Sequence, residues 1–178
     1  MKAIVQEGAE VLRNIATPVP NGLFGTPELT QILKDMEVAL DKELDGVALA
    51  APQIGIPYRI FIIRKDRTMP PPAPTSEVGA PTTSVGVVEV YINPEIVKTS
   101  RKRVEADEGC LSVRGIYGVT HRHERATVKA YMPDGKKFER GGGGLIAQIF
   151  EHEIDHLNGI LFTDHAESLI DVAHAPNA

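Results

Sequence analysis

The sequence predicts an α+β fold: a single domain in which mostly antiparallel sheets pack around one central helix. Three observations predict it. Runs with strand patterning are joined by hairpin-length links, such as Asp134-Gly135 between residues 126–132 and 136–139. An amphipathic helix opens at Thr26-Pro27-Glu28. A second helix, from about residue 145 to 158, has a face that is apolar at Leu145 and Ile149 and polar at His152 and His156. The 178 residues suffice for one substantial core and are too few for two comfortable ones.

Residues 1–25 read as irregular, with turns at Thr17-Pro18 and Pro20-Asn21-Gly22. Thr26 can then cap a helix, Pro27 suits its first position, and Glu28 favours the positive end of its dipole. Leu29, Ile32, Leu33, Met36 and Leu40 form one apolar stripe, a core face, and the helix is expected to end near Asp45-Gly46. The small residues of Gly46-Val47-Ala48-Leu49-Ala50-Ala51 leave room for a close backbone or ligand. Gln53 follows Pro52, which predicts an extended or turn conformation; by local sequence alone it reads as a solvated glutamine.

Residues 59–64 read as a strand. Residues 65–86, with prolines at 70, 71, 72, 74 and 81 and no apolar periodicity, read as a Pro-rich surface loop. Strands are expected at 87–92 and 96–99, broken at Asn93-Pro94, and again at 118–122, 126–132 and 136–139. The run Gly141-Gly142-Gly143-Gly144 reads as a hinge or helix start; without a following Lys-Ser/Thr it is not a phosphate loop. Asn158-Gly159 should end the second helix. Residues 160–178 show one short amphipathic stretch and a fraying end.

The net charge of −5 argues against a direct nucleic-acid partner, and the basic clusters Arg101-Lys102-Arg103 and Arg122-His123-Glu124-Arg125 read as solvated strand ends. No apolar run approaches eighteen residues and no signal peptide is evident, so the expected location is cytoplasmic with no membrane partner. The single cysteine, Cys110, forbids an internal disulfide and must be a small hydrophobe, a nucleophile or a metal ligand.

Chemistry concentrates in Glu151-His152-Glu153-Ile154-Asp155-His156. Residues i and i+4 of a helix share a face, so both imidazoles can reach one metal ion. Glu153 lies about 100° round from His152, beside the ion rather than on it, which suits a base. Hydrolytic sites of this type commonly use three protein ligands, so one is missing. His121, His123, His165 and His174 sit in charged or terminal segments and are poor candidates; Glu108, Glu167 and Cys110 remain open.

Three segments together resemble the peptide deformylase family: 46–53, Glu108-Gly109-Cys110-Leu111-Ser112, and His152-Glu153-Ile154-Asp155-His156. The family patterns are G-Φ-G-x-A-A-x-Q, E-G-C-L-S and H-E-x-x-H, in that order, and the likeness runs from about residue 11 to 162. The resemblance implies that Cys110, His152 and His156 bind the metal and that Glu153 is the catalytic acid/base. It implies that Gln53 and the Leu111 backbone N–H hold the developing oxyanion. It further implies peptide pairing near Val47 and Gly109, and a methionine pocket of Val47, Leu145 and Ile149. The implied reaction removes the N-formyl group from the initiator methionine of new polypeptides and releases formate. The implied ion is Fe2+, with Zn2+, Ni2+ or Co2+ able to occupy the site. The implied partners are N-formylmethionyl nascent peptides and, transiently, the ribosome.

Four features depart from the family pattern. Ala48 replaces its second glycine, Glu151 stands where many relatives have Gln, and the Pro-rich segment is longer than the usual loop. The chain also ends soon after the metal helix, which leaves no long charged C-terminal helix for ribosome docking. Two other readings compete. A generic His-Glu-x-x-His peptidase would leave Cys110 unligated, and a closed, non-catalytic metal module would ignore loss of Glu153. Metal analysis of Cys110→Ala separates the first: we expect metal binding to be abolished or sharply reduced, whereas the peptidase reading requires an unchanged metal content.

Overall fold

The computed structural model describes residues 2–68 and 88–172. Helix α1 (Pro27–Asp41) starts where the cap signal puts it: Thr26 is extended and its Oγ1 accepts a hydrogen bond from Leu29 N at 3.3 Å. Leu29, Leu33, Met36 and Leu40 are buried, together with Ala39, while Ile32 stays at the edge. The helix stops at Asp41, short of the expected Asp45-Gly46. Arg67 explains the early stop. Its Nη1 donates to the carbonyls of Leu40, Glu43 and Gly46 at 3.3, 2.6 and 2.6 Å, satisfying the chain end without another helical turn.

Among the described residues there follow eight strands and a second α-helix: β1 (Ala48–Ala50), β2 (Ile60–Arg64), β3 (Val88–Thr99), β4 (Arg103–Cys110), β5 (Val113–His123), β6 (Arg125–Tyr131), β7 (Lys137–Gly143), α2 (Leu145–Leu157) and β8 (Ser168–Asp171). One sheet has the order β1-β2-β3-β6-β7 and the other β4-β5-β8, and every pairing is antiparallel. Strand alternation divides the first sheet's faces. Ala48, Ala50, Phe61, Ile63 and Tyr91 pack with Ala147, Ile149, Phe150 and Ile154 of α2. Leu49, Ile60, Ile62 and Ile92 pack with Leu29, Leu33, Met36 and Leu40 of α1. Helix α2 also contacts β5 of the second sheet, so it is the central helix.

Several local expectations change. The strands expected at 87–92 and 96–99 are one strand, β3, with a register shift between Ile92 and Glu95. Asn93 takes a φ of 50°, and its side chain exchanges hydrogen bonds of 2.7 and 3.0 Å with the backbone of Val19, so Asn-Pro makes a bulge and not a break. β4 was not expected: Arg103, Glu105, Asp107 and Glu108 hide its strand character, and pairing with β5 supplies it. Of the glycine run, Gly141–Gly143 are the end of β7, and Gly144 is the helix start, the N-cap of α2. A Cβ at Gly142 would lie 2.2 Å from Ile146 Cγ2, so glycine lets the first turn of α2 fold onto the strand it leaves.

The Pro-rich segment lies outside the described residues from 69 to 87, and Lys65–Arg67 forms a short 3-10 helix. Residues 160–172 contain a 3-10 turn, Phe162–Asp164, and β8; the expected fraying end, residues 173–178, is outside the described residues. Among those described, no helix is long and apolar enough to cross a membrane.

Gly159, one residue past the α2 C-cap, has φ 74°, and a Cβ there would lie 2.4 Å from the carbonyl oxygen of Arg13. We expect Gly159→Ala to destabilise the protein by about 2 kcal/mol, read from the urea midpoint. A shift under about 0.5 kcal/mol would contradict this account of the turn.

Candidate active site

Helical spacing puts His152 and His156 on one face of α2, with ring centroids 4.9 Å apart. Cys110 reaches them from the end of β4, where a register shift after Gly109 bends the strand. Its Sγ lies 3.2 Å from His156 Nε2. One ligand atom from each of the three falls within 4.8 Å of the others, and they are the one such metal-capable group among the described residues. Two ligands each held about 2.0–2.3 Å from a common ion are about 3.3–3.8 Å apart, so this set of one sulfur and two nitrogens fits a divalent transition ion.

Glu108 fixes the first histidine. Its Oε2 lies 2.9 Å from His152 Nδ1, which leaves Nε2 for an ion. Arg122 grips the same carboxylate through Nε at 2.6 Å and Nη2 at 3.1 Å, and Thr120 Oγ1 donates to it at 2.8 Å. Arg122 Nη1 also reaches Asp155 on α2 at 2.7 Å. Burial alone would raise the Glu108 pKa, but hydrogen bonds from His152 and Arg122 overcome it and hold the carboxyl well below the usual range. Arg122 is only 4% exposed, so it departs from the solvated reading of its cluster, whereas Arg125 at the start of β6 is exposed.

Gln53 is 2% exposed, which corrects its local reading as a solvated side chain. It sits in the 3-10 turn Ala51–Ile54. Its Oε1 accepts from Ala50 N at 2.8 Å, so its amide orientation is set, and Nε2 points to Ser112 Oγ at 3.2 Å and Cys110 Sγ at 3.5 Å. Glu153 is 4% exposed, and its Oε2 has no hydrogen-bond partner among the described residues. Burial pushes its pKa up to about 7, with His152 pulling down and Glu108 pushing up. With protons alone in the site, burial also drives His156 well below its usual range. His152 stays well above despite burial, because of Cys110 and Glu108.

These groups open onto a cleft of about 390 Å³. β1 ends one sheet and β4 ends the other, and both edges line the cleft above α2. Val47, Gly109, Leu111, Leu145 and Ile149 line it with Ala48. Ile149 is 4% exposed and Leu145 43%, so the apolar wall deepens toward His152.

The remaining acidic and histidine candidates among the described residues lie elsewhere, and His174 falls outside the described residues. Glu167 pairs with His121 at 3.3 Å, His165 lies 3.4 Å from Asp155, and His123 Nδ1 lies 2.5 Å from Glu151. Glu151 also accepts from His123 N at 2.9 Å, so its carboxylate is held against β5, away from the cleft. Sequence reasoning missed the Arg122–Glu108–His152 chain. Its signal was the parity of Glu108, Thr120 and Arg122 on paired strands, visible once β4 is recognised.

Comparison with known proteins agrees with this geometry. The sequence model of the family described as polypeptide deformylase matches residues 1–171. The chain belongs to the peptide deformylase family. It is 37% identical to the peptide deformylase of Thermomicrobium roseum over 177 residues, 99% of this chain and 92% of that one. It matches the Met-Ala-Ser-bound class I type b peptide deformylase of Acinetobacter baumannii with a TM-score of 0.78 and 33% identity, covering 93% and 99% of the two chains. The deformylase from Legionella pneumophila gives a TM-score of 0.78 at 36% identity, over 94% and 86%. Peptide deformylases are metal-dependent hydrolases that remove the N-formyl group from nascent polypeptides, and this chain is an enzyme of that class.

The Glu153 pKa makes a prediction for metal-free protein. The folded value, about 7, lies above the unfolded value near 4.5, so the fold holds the proton longer and stability falls as pH rises between them. Glu153→Gln cannot ionise. At pH 8 we expect the metal-free variant to exceed the metal-free parent in stability by about 2–3 kcal/mol, and at pH 4 to match it, by chemical denaturation. A constant difference across that range would contradict the buried, unpartnered carboxyl.

Proposed function

We propose that Cys110, His152 and His156 hold one divalent ion and that Glu153 carries the proton in hydrolysis of N-formylmethionyl peptides. The observation that supports this most directly is the convergence of the three ligand atoms within 4.8 Å beside the buried Glu153 carboxyl, whose Oε2 has no hydrogen-bond partner among the described residues. A divalent ion in that set supplies Lewis-acid chemistry, polarising a carbonyl and acidifying a water. Glu153 takes the proton from the water that attacks the formyl carbon and passes it to the leaving amine nitrogen. The carbon–nitrogen bond breaks, giving formate and a free amino terminus. Gln53 Nε2 and the Leu111 N–H are neutral donors that stabilise the developing oxyanion, and Glu108 with Arg122 keeps His152 oriented.

The peptide adds as a strand against backbone near Val47 and Gly109, and its methionine enters the apolar wall of Val47, Leu145 and Ile149. Met-Ala-Ser bound to the Acinetobacter relative supports this class of ligand. Ala48 narrows the cleft by one methyl. The native ion is ferrous iron; Zn2+, Ni2+ or Co2+ can replace it, because one thiolate and two imidazoles give zinc or nickel the higher intrinsic affinity and supply decides. The enzyme works in the cytoplasm on nascent chains, with transient ribosome contact and neither a nucleic-acid nor a membrane partner of its own.

The test is formate release from formyl-Met-Ala-Ser by protein reconstituted anaerobically with ferrous iron, beside Glu153→Ala. We expect formate from the parent and at least about 10²-fold less from a folded, metal-loaded variant. Equal rates would remove Glu153 from the chemistry, and no formate from metal-loaded parent would sink the reading.

A further inference from the structure

The segment before the first 3-10 turn, Glu10–Leu12, ties together the two places that supply the oxyanion donors. Residues 4–7 form neither helix nor strand, yet three consecutive residues of this arm each give a hydrogen bond to one of those places. Val5 N donates to the Gln53 carbonyl at 2.8 Å, and Glu7 N donates to the Ser112 carbonyl at 2.7 Å. Between them, Gln6 Nε2 donates to the Leu111 carbonyl at 3.1 Å and also reaches the Ile4 carbonyl at 3.4 Å. Leu111 and Ser112 are the two residues of the turn that joins β4 to β5, since Cys110 pairs with Val113. The arm therefore takes both carbonyls of that turn. On its other side the turn meets the second donor: Ser112 Oγ accepts from Gln53 Nε2 at 3.2 Å. Gln53 and Leu111 line the cleft, whereas Gln6 is exposed and stands outside the lining.

The central peptide of a two-residue turn is the one that can reverse, because the common turn types differ in the direction of its carbonyl. Here that carbonyl belongs to Leu111, and Gln6 is its side-chain partner. Reversal would turn ψ of Leu111 and φ of Ser112. It would disturb the residue that offers the N–H and the one whose Oγ supports Gln53. An oxyanion site works because its donors are already aimed, so motion in this turn subtracts from transition-state stabilisation. The arm has few other holds. Gln6, Glu7 and Gly8 are exposed, Gly8 turns the chain at φ 99°, and Ile4 packs at the edge of the α1 cluster. We propose that Gln6 is a positioning residue for hydrolysis: it clamps the arm to the Leu111 carbonyl and thereby holds the Leu111 N–H and Gln53 where the developing oxyanion forms. This rests on the assignment of those two donors.

The test measures kcat and KM for formyl-Met-Ala-Ser, with metal content, for the metal-loaded parent, Gln6→Met, Gln6→Lys and Gly8→Ala. Gln53→Ala serves as the reference for a lost donor. Met keeps the length of Gln but gives no hydrogen bond, so we expect Gln6→Met to lower kcat about three- to tenfold, with KM and metal content unchanged. Gln6→Lys still donates and should keep most of the parental kcat. Gly8→Ala strains the arm from its other end, with nothing near the added Cβ, and should lower kcat in the same sense. Gln53→Ala should lower kcat about 10²-fold. A parental kcat in Gln6→Met, a loss carried by KM or by metal content, or an equal loss in Gln6→Lys would overturn the role of Gln6 while Gln53→Ala still stands as a donor loss. An unchanged kcat in Gln53→Ala would overturn the donor assignment beneath it.

Discussion

The structure depends on one chain of ionisable groups, Asp155–Arg122–Glu108–His152, buried at its Arg122–Glu108 centre. It joins the second sheet to the central helix at a point where apolar packing would have served a stable fold equally well. Replacing such a pair with apolar residues is often neutral, whereas removing one partner commonly costs about 3–5 kcal/mol. Its function is therefore orientation rather than net stability. Glu108 sits two residues before Cys110 on β4, and Asp155 sits one residue before His156 on α2. The guanidinium that spans both carboxylates thereby sets the distance between the cysteine and the two histidines.

Around that tie the fold leaves a cleft between two sheet ends. β1 and β4 are edge strands that no neighbour strand closes among the described residues, and α2 forms the floor between them. Edge strands invite pairing with another chain. Here that liability coincides with the candidate site, because residues of both edges line the cleft. The small residues Gly46, Ala48 and Gly109 keep the edges accessible, and both glycines are held by packing: Gly46 against Leu40 and Leu111, Gly109 beneath Tyr117.

Much of this was legible in the sequence because it is local. The Thr26 cap, the α1 stripe, the His152–His156 spacing and the Asp134-Gly135 turn each depend on residues within a few positions of one another. What was not legible depends on distant partners. α1 ends at Asp41 because Arg67 takes the Leu40 carbonyl and those of Glu43 and Gly46 just beyond the helix, and Gln53 is buried because Ala50, Cys110 and Ser112 surround its amide. Arg122 looked solvated because its basic neighbours dominate the local pattern, while its partners lie on β4 and α2. β4 was missed for the same reason: alternation of charged and small residues has no apolar signature until β5 is beside it.

The most direct test of the central claim, that one sulfur and two imidazole nitrogens from this chain share a single ion, is X-ray absorption at the metal edge of the reconstituted protein. The account predicts one sulfur scatterer at about 2.3 Å and two imidazole nitrogens at about 2.0–2.1 Å. A set of nitrogen and oxygen scatterers without sulfur would contradict it, and would leave Cys110 as a half-buried bystander beside a different metal site.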